Sequence, residues 1–543
     1  MVSVEGAGWK ENRGKGHRPG RLLAVFKAVV LLVLVATAAY AMLEQGLYLD
    51  ELWLPVAAGL LALVLVTLFV RGYYQDVPPA AWVMVAFLVA LVGVKGLSMA
   101  WTTSQTETVD EVLRSSMYVA VFLAALAALT SERQVGPLMD VSVLMIAAVA
   151  GYGILQKTDP AQYPATAIDI VRIDSTVGYS NSVAVLVGMA VALALARTTT
   201  IRSGPLRGLY AALTLALIVA LYLTFSRGGV GSLGIGLVCL FVLTGNRLQM
   251  LANLLLLCVP GSWLLWRMQS LEGLTQARIS EQQRIADGAA FSADLILALA
   301  VAFVLQAGYA FLMNRYELMS SGRQVIGRLV LLGVVLAVGA GAVAVANGHG
   351  GIGQVYGTLV SNPNHPENAT QRFASLSMGY REDYWKVGWE AWKEHPLTGT
   401  GAGTFQFTWL KNRPDTESVK QVHNLYLEQA TETGVLALLA LVGFVVALVG
   451  YSARATWRAQ GERRLLLAGL VSAVVIYLVS SFIEWHWYIP GSTLIFFFLA
   501  AVTAKFAARD DWAVSETVPA PAEGAPGWLS RRWRAPAHAR SRI

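Results

Sequence analysis

VHNLYLEQATETGVLALLALVGF, residues 422–444, starts polar and becomes an unbroken apolar run from Val435 onward. It reads as one helix that begins at a watery surface and continues into lipid, and that reading decides the fold. The apolar half needs a bilayer around it. The polar half closes a block of 87 residues, Asn347 to Thr433, that interrupts a regular alternation of apolar spans and short loops. A membrane protein that sets such a block on one face is expected to keep its chemistry there.

Outward from this junction, windows of about 20 residues, the helix length that crosses roughly 30 Å of hydrocarbon, recur along the chain. They lie at 22–43, 52–70, 80–99, 112–129, 137–155, 182–196, 206–225, 229–244, 248–266, 291–313, 329–346, 434–452, 465–483 and 490–508. Three of them, 112–129, 182–196 and 229–244, are short, and two of these are candidates for re-entrant or tilted elements. With 56% hydrophobic and 14% charged residues and a mean hydropathy of +0.55, the 543-residue chain lies far from the balance of a soluble domain. The expectation is an all-α polytopic integral membrane protein of about 12–14 transmembrane helices, with residues 22–508 as its helical domain. Residues 1–21 read as a basic cytoplasmic tail, and 509–543, rich in Pro, Ala and Arg, as a disordered cytoplasmic one. The first span lacks a cleavage-site pattern and reads as a retained helix.

Lysine and arginine set the orientation, because cytoplasmic loops carry their excess. Lys10, Arg13, Lys15, Arg18 and Arg21 lead into the first span, and the loops on that side hold Arg71, Arg133, Arg197, Arg202, Arg247, Arg315, Arg323, Arg328, Arg454, Arg458, Arg463 and Arg464. The short loops 44–51, 100–111 and 484–489 contain neither, and carry Glu44, Asp50, Glu51, Glu107, Asp110, Glu111 and Glu484 instead. The 347–433 block therefore faces outward, as do the longer segments 156–181 and 267–290. This topology accounts for the net charge of +7, which points to the lipid bilayer as partner and not to nucleic acid. Cys239 and Cys258 fall inside apolar spans, leaving no disulfide framework. No outer loop shows a metal-ligand spacing, so neither metal nor cofactor is expected; Glu107, Asp110 and Glu111 read as a solvated helix start. Lys27 and Lys95 lie near span ends and read as snorkelling side chains.

Four features carry chemistry. Arg227, in LTFSRGGVGSLG, sits at an outer helix start, where Ser226, Gly228 and Gly229 frame an anion site at the positive end of a helix dipole. In YREDYWKVGWEAWKEHP, residues 380–396, Arg381, Trp385, Gly388 or Trp389, and Trp392 share one helical face, with Glu382, Lys386, Glu390 and Lys393 away from it. Such a helix suits the membrane interface, where Arg381 can close over the headgroup of a lipid-linked anion. The turn HPLTGTGAGTF alternates Gly399, Gly401 and Gly403; it reads first as a tight return to the membrane surface and second as a source of backbone N–H groups for phosphate. His423, in the first turn of its helix with Asn424 beside it, is favoured as a neutral imidazole, the form a general base needs. His395 reads as a helix-end residue. His349 and His365, in loose polar sequence, and His486, in EWHWY, are its other rivals.

The order of these parts resembles the bacterial O-antigen ligase and polymerase superfamily: an outward Ser-Arg-Gly, then a long outer loop with Arg-X3-Trp, His-Pro-Leu-X-Gly-X-Gly-X-Gly and a closing His-Asn, over roughly residues 170–450. Nine residues separate Asn424 from Gly434, as in the ligase form of the motif. The resemblance implies a GT-C-like, metal-independent glycosyltransferase of the plasma (inner) membrane, acting on its outer, periplasmic face. It implies a glycan donor carried on undecaprenyl diphosphate and a hydroxyl acceptor, such as lipid A core or another surface glycan. Arg227 and Arg381 would bind the diphosphate, His423 would deprotonate the acceptor, and Asn424, Ser226, Gly228, Trp385, Gly399 and Gly401 would support them. A polymerase or protein O-oligosaccharyltransferase of the same superfamily is the near alternative. A transporter or flippase is the distant one, against which stand charges at the outer surface instead of the midplane. A non-enzymatic assembly partner would tolerate loss of His423.

Overall fold

A computed structural model describes residues 20–165, 171–315, 332, 369, 379–414 and 416–508. Among them the chain forms sixteen α-helices and no strand. In order these are α1 (Arg21–Leu43), α2 (Asp50–Phe69), α3 (Pro79–Leu97), α4 (Gln105–Ala128), α5 (Val135–Thr158), α6 (Ser180–Thr200), α7 (Gly204–Leu223), α8 (Arg227–Leu243), α9 (Arg247–Gln269), α10 (Glu272–Thr275), α11 (Glu281–Arg315), α12 (Arg381–Glu394), α13 (Phe405–Asn412), α14 (Leu425–Arg458), α15 (Gly461–Ser480) and α16 (Pro490–Ala507). Twelve are long and apolar enough to cross a membrane, and α8, at 17 residues, is a shorter apolar helix. This is an all-α polytopic membrane protein.

The apolar windows 112–129 and 182–196 are not re-entrant: α4 has 24 residues and α6 has 21. Hydropathy shortened them because their first turns are polar but buried in protein, with Thr108, Glu111 and Arg114 in α4 and Ser180, Asn181 and Ser182 in α6. The window 329–346 and most of 347–378 lie outside the described residues.

Lipid is as apolar as leucine, so the bundle is held by close packing and by hydrogen bonds. The inner layer is α4, α6, α15 and α16, of which α16 is buried throughout, while α1, α2, α9 and α11 show most of their surface outward. Helix α6 packs mainly on α15 and α7, α16 on α4, and α14 on α3. A Cβ on Gly236 would sit 2.2 Å from Ile476 and one on Gly469 2.5 Å from Ala196, so small residues set the α8–α15 and α6–α15 approaches.

Neither lysine snorkels. Lys27 is fully buried and donates to Asp76 at 3.0 Å; Lys95 is fully buried, pairs with Glu111 at 3.0 Å and lies over the Trp487 ring. Glu111, which also pairs with Arg114, is likewise no solvated helix start. A buried charge is tolerated where a partner replaces its water, and here α3 and α4 supply one another's.

Helix α14 is not the straight element that its sequence suggests. Asn424 caps it, its side-chain oxygen accepting from Tyr426 and Leu427 N–H at 3.1 Å each. Ten residues on, Gly434 breaks the helix with φ 73 and ψ −173, and Val435 N–H donates to Pro396 carbonyl oxygen at 2.9 Å. A Cβ at Gly434 would lie 2.1 Å from the Leu397 oxygen, so only glycine lets the outer turn cross the helix here.

Candidate active site

One end of the bundle gathers the residues singled out from sequence. The 171–179 segment, the α7–α8 junction, the start of α12, the 421–424 turn and the α15–α16 connection are tied together there. Ile173 N–H donates to Leu223 oxygen at 3.1 Å and Leu425 N–H to Ser481 oxygen at 2.9 Å.

His423 occupies the turn before α14 with φ 58, a left-handed conformation that costs a non-glycine residue about 1–3 kcal/mol. Its flanks hold it there. Val422 is buried with Tyr384, Phe405 and Trp409, and Asn424 is fixed as the helix cap. Ring Nδ1 lies 3.1 Å from the Gln421 carbonyl oxygen, an acceptor that only a protonated Nδ1 can bond. Nε2 is then the nitrogen that carries the lone pair. The ring sits beside Tyr384, with centroids 5.3 Å apart, and Trp485, at 6.0 Å. Burial, and after it the positive charge of Arg381, pushes the imidazole down to about 4, so it is neutral at physiological pH.

Arg381 opens α12, an unfavourable place for a cation on dipole grounds. Glu484 offsets that. Arg381 Nη2 donates to Glu484 Oε1 at 2.5 Å and Nε to Ile483 oxygen at 2.8 Å. The Glu484 carboxylate, 3% exposed, also accepts from Tyr179 hydroxyl at 2.7 Å and Asn181 amide at 2.8 Å. Burial alone would raise its pKa; Arg381 overrides that and holds it below the usual carboxylate value.

Arg172 joins through Asn181, whose Oδ1 accepts from Arg172 Nη2 at 2.5 Å, while Arg172 Nε donates to Thr224 oxygen at 2.6 Å. Two residues beyond Phe225, Arg227 begins α8, with Ser226 Oγ accepting the Gly229 N–H at 3.2 Å. Phe225, itself at φ 47, packs with Val171 and with Ala369 of the long outer segment. A Cβ on Gly228 would meet Ile483 at 2.6 Å, so the head of α8 rests on the same Ile483–Glu484 step that anchors Arg381. Arg381 directly, and Arg172 through Asn181, thus reach the Glu484 carboxylate, and the backbone at the head of α8 packs on the neighbouring Ile483.

The glycine turn is spent within the protein. Gly399 N–H donates to His395 oxygen at 2.9 Å, Gly401 N–H to Glu432 oxygen at 2.8 Å, and Gly403 and Phe405 N–H to the Glu432 carboxylate at 2.8 and 3.0 Å. These amides hold a glutamate in the place where the sequence offered a phosphate. On α12 the buried residues are Tyr384, Gly388 and Ala391; Arg381, Trp385 and Trp392 are partly buried and Trp389 is 48% exposed, so of the two alternatives Gly388, not Trp389, lies on the covered face. Small Gly388 allows Thr431 Oγ1 to reach its carbonyl at 3.0 Å, an approach that tryptophan would block.

His395 ends α12 and is exposed. His486 is fully buried between Ser182 Oγ at 3.1 Å and Ser480 Oγ at 2.8 Å, and burial takes it too down to about 4. His349 and His365 lie outside the described residues. Sequence reasoning passed over Glu484, Tyr179, Asn181 and Arg172. The available signal was a lone carboxylate among aromatic residues in a six-residue connection, EWHWYI at 484–489.

Fold and site together define a multi-pass membrane protein with a histidine and arginine centre at one end of its helix bundle. A family model described as O-Antigen ligase matches residues 212–442, from within α7 through Arg227, Arg381 and His423 into α14. Over these residues the chain is similar to the O-antigen ligase family. No curated protein matches the chain.

Proposed function

We propose that the chain transfers a glycan from undecaprenyl diphosphate to a hydroxyl acceptor at the outer face of the plasma membrane, without a metal, using His423 as base and Arg227 and Arg381 on the diphosphate. The observation that carries this is the His423 ring, anchored at Nδ1 by the Gln421 carbonyl oxygen and buried at the end of the bundle where Arg381 is fixed by Glu484, with burial and then Arg381 lowering its proton affinity. The acceptor hydroxyl gives its proton to Nε2 as its oxygen bonds the anomeric carbon, and the bond from that carbon to the diphosphate oxygen breaks. A single displacement inverts the anomeric centre. Negative charge grows on the departing diphosphate, where guanidinium groups at an interface of low dielectric stabilise it.

The same charges tune the base. A bound diphosphate offsets Arg381, so His423 regains proton affinity when the donor is in place. Wall polymers, proteins and growing glycans all offer the required hydroxyl, and the assay identifies the acceptor.

Purified protein with an undecaprenyl-diphosphate glycan and a panel of acceptors tests this reading. Transfer that survives EDTA and disappears in His423→Ala supports it; full activity of His423→Ala, or loss with EDTA, overturns the base or the metal-independent mechanism respectively.

A further inference from the structure

Beneath the His423 turn lies a buried acid that the mechanism above does not use. Glu428, 2% exposed, sits in the first turn of α14, and one oxygen of its carboxylate accepts the Val422 N–H at 3.0 Å. An ordinary capping box reaches from the third helical residue back to the cap. Here the fourth helical residue reaches past the cap Asn424 to the residue two before it. That reach exists because the left-handed step at His423 folds Val422 back over the helix start. The neighbour of Glu428 one turn on, Glu432, accepts the Gly403 and Phe405 N–H groups with its carboxyl in the same manner. Glu432 on the same helix, and Tyr488 and Glu111 from the surrounding elements, interact with Glu428.

We infer that Glu428 is a positioning residue for the His423 base: by holding the Val422 N–H, its carboxylate fixes the strained turn that aims the imidazole. The inference rests on the reading of His423 as base. Glu428 touches neither donor nor acceptor, so its loss acts on kcat and leaves donor affinity in place.

The test compares Glu428→Gln with Glu428→Met in the full-length protein. Both are neutral and of similar length, and only Gln keeps an oxygen for Val422 N–H. Glycan transfer from an undecaprenyl-diphosphate donor is measured together with the His423 ring NMR signal, assigned by its loss in His423→Ala. Expected is a Gln variant within about 3-fold of wild type and a Met variant with kcat down about 10- to 100-fold at nearly unchanged donor KM, the scale of a small misplacement of a reacting group. The Met variant also shifts the His423 signal, and the Gln variant does not. Wild-type kcat with an unshifted signal in Met, or equal damage in both, overturns the proposal. If Met is not recovered folded, the Gln variant decides: retained kcat supports a hydrogen-bonding role, and loss overturns it. If His423→Ala stays active, the base reading falls, and the ring signal still reports whether Glu428 orients the turn.

Discussion

The His423 and His486 turns lie on the same end of the bundle, both beside Trp485 in space or sequence, and burial drives both imidazoles down to about 4. They differ in what their nitrogens do. His486 has a serine hydroxyl on each ring nitrogen, whereas His423 is held through Nδ1 by a backbone carbonyl and lies next to an arginine. A depressed proton affinity alone therefore does not mark a base; the proposed base differs from His486 in having its Nδ1 held by a backbone carbonyl and in lying within electrostatic reach of Arg381.

The largest effect separates the two turns directly. His423→Ala is expected to lower transfer about 10²- to 10⁴-fold, the usual worth of a general base, with expression and membrane insertion unchanged. His486→Ala strands Ser182 and Ser480 and is expected to cost about 1–3 kcal/mol of stability, read as a lower melting temperature, while transfer by the folded fraction stays within a few-fold. Equal loss of activity in both variants would erase the distinction.

Arginine geometry comes next. Arg381→Ala is expected to raise donor KM about 10- to 100-fold, and Lys to recover only part, since an ammonium cannot bond Ile483 and Glu484 in the same fork. Glu484→Gln should damage donor binding less than Arg381→Ala, because the amide still offers partners to Tyr179 and Asn181 and Arg381 keeps its bond to Ile483 oxygen.

The smallest effects are in pH. For both histidines the unfolded chain takes up protons near 6.5 and the folded chain only at about 4. Between those values the unfolded state binds more protons, so stability is complete above 6.5 and declines as pH falls toward 4. Glu484, held below its ordinary pKa, acts in the same direction. Thermal melts across this window should fall with acidity, and His486→Ala should flatten part of the slope.

The spans were legible because hydropathy is a local property, and every apolar window within the described residues became a helix. The site was legible only through motif order. Arg381 is held by Glu484, which lies 61 residues beyond His423 and on the far side of two spans, so no spacing rule connects that carboxylate to the motifs. On α12 the sequence named Gly388 with the tryptophans, but not Tyr384 and Ala391, which with Gly388 are its buried residues; the close approach that Gly388 allows to Thr431 has no periodic signal. The glycine turn is the tight turn that the sequence first suggests, and Gly403 and Phe405 N–H bond Glu432 within the protein.

The central claim is that His423 is a neutral base whose proton affinity is lowered first by burial and then by the charge of Arg381, so that a bound donor moves it. The most direct measurement is the NMR titration of the His423 ring, free and with a bound undecaprenyl-diphosphate glycan. The account predicts a midpoint near 4 in the free protein and a higher one with donor bound. A midpoint near 6.5 in both states, or one that the donor leaves unmoved, would contradict it.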